Sequence, residues 1–205
     1  MTPLEPRIYL ASKSPRRREL LGQIGVRFDL MLFRSGARED AATREDARPS
    51  ETPEAYVERV AIAKAVHGAK LIASRHIVPR PVLAADTTLD IDGEVVGKPD
   101  DHRHAEEILG RLAGRSHRVL TAVAVAQDDR IEHRISISEV RFRALDAAEI
   151  HRYVLTGEPM DKAGAYGIQG RAGGFVEAIH GSFSGIVGLP LCETTLLLRA
   201  FGYPL

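Results

Sequence analysis

The run Ile8-Tyr9-Leu10-Ala11-Ser12-Lys13-Ser14-Pro15-Arg16-Arg17-Arg18-Glu19-Leu20-Leu21 decides how the rest of the chain is read. Its apolar start, residues 8–12, predicts a strand. Pro15 then opens a helix over 15–24, with Gly25 as its stop. Proline at the first helical position costs no hydrogen bond, and Ser14 before it suits the N-cap. The first-turn amides of such a helix are unpaired and carry the positive end of its dipole. Arginines normally avoid that end. Arg16, Arg17 and Arg18 there imply an anion, and the planar guanidinium matches phosphate oxygens. The expectation is a phosphate-binding strand-turn-helix rather than a solvated basic turn.

Outward from this run, strands and helices alternate, which predicts an α/β fold. A strand is expected over 29–33, a long polar loop over 34–52, and a helix capped at Thr52-Pro53 and running to about Ala73. Val82-Leu83-Ala84-Ala85 reads as a short buried strand, and Asp92-Gly93 as a hairpin turn between strands 87–91 and 94–96. A helix capped by Asp100 or Asp101 leads to paired strands over 119–126 and 131–142. Ile135 and Ile137 alternate in one phase, Val140 and Phe142 in the other, so a bulge is expected between them. Asp146 caps a further helix, a glycine-rich segment follows, and a strand over 175–179 precedes a C-terminal helix through Phe201.

The 205 residues suffice for a single domain, 1–205, and neither repeats nor low-complexity tracts divide it. Lys plus Arg and Asp plus Glu both number 28, so no basic field exists to track nucleic acid, and a small anionic ligand fits better. The single cysteine, Cys192, excludes an internal disulfide and reads as a core position in an apolar helix. No segment spans a membrane and no signal peptide is visible, so a cytoplasmic protein is expected.

Asp86 directly follows the buried strand 82–85, the end at which open α/β sheets place ligand chemistry. It is a candidate ligand for Mg²⁺, a candidate general base, or both. Lys64 shares a helix face with Val57 and Val60, so it needs a partner or must snorkel to solvent. Gly93-Glu94-Val95-Val96-Gly97-Lys98-Pro99 is superficially similar to a P-loop, but it is one residue short and has proline where Ser or Thr should hold the metal. Lys98 remains a point charge for phosphate. In the segment from Asp161-Lys162 to Gly170, the glycines do not fit a dinucleotide fingerprint; they permit close ligand approach, and Gln169 offers donor and acceptor together for reading a base edge. Asp100-Asp101-His102-Arg103-His104 is a capped helix start rather than a metal site.

Ser12-Lys13-Ser14-Pro15-Arg16-Arg17, Ala63-Lys64-Ala65, Ala85-Asp86-Thr87, Gly97-Lys98-Pro99 and Val187-Gly188-Leu189-Pro190 occur in an order that resembles the Maf family of nucleoside triphosphate pyrophosphatases. The resemblance covers 8–201. It implies an elongated mixed sheet flanked by helices, with two lobes and a cleft, as in the inosine triphosphatases, and a chain that often dimerises. It implies hydrolysis of a nucleotide to the monophosphate and pyrophosphate with a divalent cation, Mg²⁺ or Mn²⁺. Arg16, Thr87 and Gln169, with Lys162, agree with the branch acting on dTTP and UTP rather than the branch acting on 7-methyl-GTP. Asp86 would be the general base, and Ser12, Ser14, Arg16, Arg17, Lys64 and Lys98 would surround the phosphates. An acidic residue after the second strand is implied as a second metal ligand; Glu39 is preferred among Glu39, Asp40, Glu45 and Asp46. The family name also carries an alternative, a non-catalytic nucleotide-binding regulator of septum formation.

Overall fold

The computed structural model describes residues 6–33 and 45–205. Among them the elements run β1 (Ile8–Leu10), α1 (Pro15–Gln23), β2 (Phe28–Leu30), α2 (Pro53–Ser74), β3 (Val82–Ile91), β4 (Glu94–Val96), α3 (His102–Leu112), β5 (Ser116–Gln127), β6 (Arg130–Phe142), α4 (Ala147–Val154), β7 (Val176–His180), α5 (Phe183–Val187) and α6 (Leu191–Ala200). Between α4 and β7 lie 3₁₀ turns at Glu158–Asp161, Ala163–Ala165 and Arg171–Phe175. The strands form one mixed sheet in the order β2-β1-β3-β5-β6-β7, with β4 added beside β3. β1 is parallel to both β2 and β3; the later pairs are antiparallel. The expected α/β fold with a mixed sheet is therefore present.

Alternation along β3 divides the core. Val82 and Ala84 face α2, where Tyr56, Val57, Val60 and Ala61 pack with Leu120, Ala122 and Ala124 of β5. Leu83 and Ala85 face the other way, against Leu20 and Leu21 of α1 and Leu197 and Leu198 of α6. At the far end of the sheet, α3, α4 and the 3₁₀ turns close over Phe142, Tyr153, Tyr166 and Phe175. The long β5–β6 hairpin joins the two ends.

One discontinuity in hydrogen bonding positions the site. β5 covers one edge of β3 from Val82 to Asp90. On the opposite edge β1 pairs only at Val82 and Leu83, and β4 pairs only from Leu89 to Ile91. Among the described residues, 84–88 between them have no strand partner on that side. Asp86 sits in this gap.

Several expectations need correction. Asp86 is not at a strand terminus: Thr87 and Thr88 continue the same extended run, so β3 is one ten-residue strand with Asp86 at its centre. The β5–β6 register is unbroken, so no bulge separates Ile137 from Val140. The change of phase arises because Val140 and Phe142 enter the core on one face, while Ile135 packs toward α2 on the other. The register shift lies instead between β6 and β7, at Arg141/Phe142. The C-terminal helix is two helices, because Gly188 turns at φ +128° and Pro190 lacks an amide hydrogen. Cys192 is exposed, on the outer side of α6. Ser14 stands at the N-cap of α1, but its side chain makes no capping bond. Thr52, Asp101 and Asp146 do cap their helices.

Candidate active site

A cavity of about 870 Å³ opens at the gap in β3. The turn Ser12–Arg17 and Met31 line one side, α2 and Glu45 another, and the 3₁₀ segment from Glu158 to Gly170 the wall opposite. Ser12, Ser14, Arg16, Arg17, Lys64, Asp86, Thr87, Lys98, Lys162 and Gln169 all line it.

Asp86 and Thr87 are consecutive in a strand, so they project to opposite faces of the sheet. On the α2 face, Lys64 Nζ donates to Asp86 Oδ1 at 2.8 Å and to Glu45 Oε1 at 2.6 Å. Lys64 has found the partner its buried helix face required; its side chain is 12% exposed. Burial pushes the Asp86 carboxyl above the usual range, a push that Lys64 and Arg17 oppose and Glu45 reinforces. For Glu45 burial also acts upward, but Lys64, Lys98 and Arg17 outweigh it and the carboxyl ends below its ordinary value. Lys98 reaches to 4.0 Å from Glu45 Oε2 and is otherwise open to solvent. Tyr56 donates its hydroxyl to the Glu45 carbonyl at 2.8 Å, which fixes that residue against α2.

On the other face, the three arginines of α1 part company, because successive helical residues point about 100° apart. Arg16 turns into the cavity and stands 3.6 Å from Asp161. Arg18 is exposed and outside the cavity lining. Arg17 is drawn inward. Its Nε donates to the Gly188 carbonyl (2.7 Å), Nη1 to the Ala85 carbonyl (2.7 Å) and Ser12 Oγ (3.3 Å), and Nη2 to Thr87 Oγ1 (3.1 Å). Ser12 Oγ also accepts from the Ser14 amide at 3.2 Å. Of the three arginines, Arg16 and Arg17 line the cavity and Arg18 does not.

The opposite wall is backbone held from behind. Glu158 accepts from Tyr153 Oη at 3.0 Å and from the Arg171 amide at 3.1 Å, which brackets the turn carrying Gln169. Lys162 Nζ donates to the Glu158 carbonyl at 2.6 Å and to Asp161 at 2.5 Å. Gly164, at φ +72°, donates its amide to the Gly97 carbonyl at 2.9 Å and ties the wall to the Lys98 loop. A Cβ there would lie 2.1 Å from Leu89, so only glycine fits. Gln169 stands exposed on the rim.

Residues 7–201 match the family model described as Maf-like protein. The chain belongs to the Maf family. It is 58% identical over 197 residues to the dTTP/UTP pyrophosphatase of Dechloromonas aromatica (strain RCB), across 96% of this chain and 98% of that one. It is also 58% identical over 206 residues to the dTTP/UTP pyrophosphatase of Aromatoleum aromaticum, across the full length of both. The protein of that name from Cupriavidus pinatubonensis is 54% identical over 94% of this chain and 95% of its own. Among solved structures, the Ham1 protein of Staphylococcus aureus matches with a TM-score of 0.45 at 13% identity, over 95% of this chain and 97% of that one. The motifs quoted from the sequence thus indicated the right family.

Glu39, the preferred second metal ligand, lies outside the described residues, as does Asp40. Of the two described acidic residues considered, Glu45 and Asp46, it is Glu45 that reaches Lys64 beside Asp86. The sequence offered no means of choosing it: Glu45 is placed by the fold-back of 46–51 onto α2, where Arg59 holds both the Glu51 carboxylate and the Asp46 carbonyl. Tyr56, Glu158 and Thr121 were also missed. Tyr56 lies on the apolar stripe of α2, and the other two act only through tertiary neighbours.

Proposed function

We propose that this Maf-family chain hydrolyses nucleoside triphosphates, dTTP and UTP foremost, to the monophosphate and pyrophosphate. One observation carries the reading. A buried carboxylate, Asp86, stands in a break in the sheet edge, ringed by the α1 mouth, Arg16, Lys64 and Lys98 within one nucleotide-sized cavity. Phosphoryl transfer is mostly positioning and charge neutralisation, so several cations around one carboxylate supply the parts it needs. The names of relatives across the full length of the chain support the same substrates.

In this reading Asp86 orients and deprotonates a water for attack on the α-phosphorus. Arg16, Lys98 and the first-turn amides of α1 hold the leaving pyrophosphate, and Lys64 keeps the Asp86 carboxylate ionised. Gln169, on the rim of the wall, faces the base. Asp86 and Glu45 converge on one cation, the Lys64 ammonium, at 2.8 and 2.6 Å. Two carboxylates open to a phosphate chain suit Mg²⁺ or Mn²⁺. Bound there, the divalent ion would supply Lewis-acid neutralisation of the phosphate oxygens.

A panel of canonical and modified triphosphates with Mg²⁺ or Mn²⁺ tests the reading, with monophosphate separated from diphosphate. dTMP and UMP with pyrophosphate are expected. Diphosphate with orthophosphate would mean cleavage at the wrong bond. Tight dTTP binding without any product would favour the non-catalytic regulator.

A further inference from the structure

We propose that Arg17 is a positioning residue that clamps β3 on both sides of Asp86, by the Ala85 carbonyl and the Thr87 side chain, to the turn after α5, instead of serving as a phosphate ligand. Because β1 stops at Leu10, the Ala85 carbonyl emerges on the unpaired edge of β3, where a buried acceptor without a donor is destabilising. Arg17 Nη1 satisfies it at 2.7 Å, and Nη2 takes Thr87 Oγ1 at 3.1 Å. Asp86 is thus held by its two chain neighbours. Four of the five guanidinium N–H groups are occupied by protein acceptors, counting Ser12 Oγ and the Gly188 carbonyl, so little of the fork is left for a substrate.

A second tether runs in parallel. Thr121 Oγ1 donates to the Gly185 carbonyl at 2.8 Å and lies 2.9 Å from Thr87 Oγ1. A carbonyl can only accept, so the Thr121 proton goes to Gly185 and the Thr87 proton goes to Thr121. The Thr87 lone pair is then turned toward Arg17. Both tethers end in the segment 183–188, which gives Gly188 of Val187-Gly188-Leu189-Pro190 a role through its carbonyl. At φ +128°, Gly188 aims its carbonyl at Arg17. An added Cβ there would meet nothing closer than 3.6 Å, so the backbone conformation alone calls for glycine.

The proposal rests on the reading of Asp86 as the residue at the reacting phosphorus, and the test keeps the two apart. Wild type, Arg17→Lys, Arg17→Met and Thr121→Val are assayed with dTTP, with pyrophosphate as a competitive probe of phosphate binding, and the Arg17→Met crystal structure is determined. Lysine keeps the charge but cannot straddle four acceptors. Both Arg17 variants should lose about 10²-fold in kcat, with dTTP KM and the pyrophosphate inhibition constant within about threefold of wild type. Thr121→Val, a near-isosteric change, should lose several-fold in kcat alone, and it carries the test if the Arg17 variants do not fold. In the Arg17→Met crystal the 84–88 backbone and the Gly188 turn should separate. A rise of tenfold or more in KM and in the pyrophosphate constant with kcat kept would overturn the clamp. An unmoved β3 backbone in the crystal would overturn it too, whatever the wild type hydrolyses.

Discussion

The cavity has two unlike sides. Its floor, at the gap in β3, is made of charged side chains that hold one another: Lys64 between Asp86 and Glu45, with Arg17 beneath. Its wall, from Glu158 to Gly170, is made of backbone that a cluster of aromatic rings and one glutamate hold from behind. The floor is built to place charge, and its cost is the burial of ions that are tolerable only in company. The wall is built to place a surface, and it depends on glycines and on packing. Substitutions in the floor should therefore appear in kcat, and substitutions in the wall in KM and stability.

The largest effect falls on the floor. Asp86→Asn keeps the shape and removes the proposed base, and it should lower kcat for dTTP by ~10²–10⁴-fold, measured by monophosphate release. Lys64→Met leaves Asp86 and Glu45 facing each other without their shared cation; kcat should fall by about 10²-fold, with a lowered melting temperature. Equal loss in KM and none in kcat for either variant would erase the distinction between the two sides.

Behind the wall, His117 is buried, with its Nε2 2.9 Å from Tyr166 Oη and, among the described residues, no partner for Nδ1. Burial lowers its pKa from the ordinary value of 6.5 to about 4. The unfolded chain therefore takes up a proton between these pH values while the folded chain stays neutral. The stabilisation is complete above pH 6.5 and is lost as the pH falls from there to about 4, by on the order of 3 kcal/mol. Urea unfolding at several pH values should show this slope, and His117→Phe should remove it. A slope that persists in the variant would assign it to other groups.

The smallest effect is at the rim. A Cβ on Gly170 would stand 2.2 Å from Glu158 Oε1, at the far end of a flexible side chain. Gly170→Ala should displace that carboxylate from the Arg171 amide and cost about 1–2 kcal/mol. KM for dTTP should rise a few-fold with kcat unchanged; a fall in kcat would mean that the wall, too, acts on the reacting centre.

The same division explains what the sequence could reveal. The floor is written in local periodicity: Pro15 and the Ile8 run set β1 and α1, the period of α2 points Lys64 inward, and the unbroken apolar run before Asp86 marks its burial. The gap that gives Asp86 its surroundings is not local. It exists because β1 and β4 pair with different ends of β3, a fact of register. The same limit hid Glu45, whose place depends on a fold-back onto α2, and the inward path of Arg17, whose acceptors lie up to 171 residues away. The wall gave only its composition, since 3₁₀ turns of three to five residues are too short to show a period; its glycines announced close approach without saying to what. Cys192 and the bulge expected between Ile137 and Val140 show the opposite failure, in which a period was read for more than one face of an element.

The claim on which all of this stands is that water, held by Asp86 in the β3 gap, attacks the α-phosphorus. Hydrolysis of dTTP in water enriched in heavy oxygen, followed by mass spectrometry of both products, tests it directly. The account predicts the label in dTMP and unlabelled pyrophosphate; label in the pyrophosphate would place the attack on the β-phosphorus and contradict it.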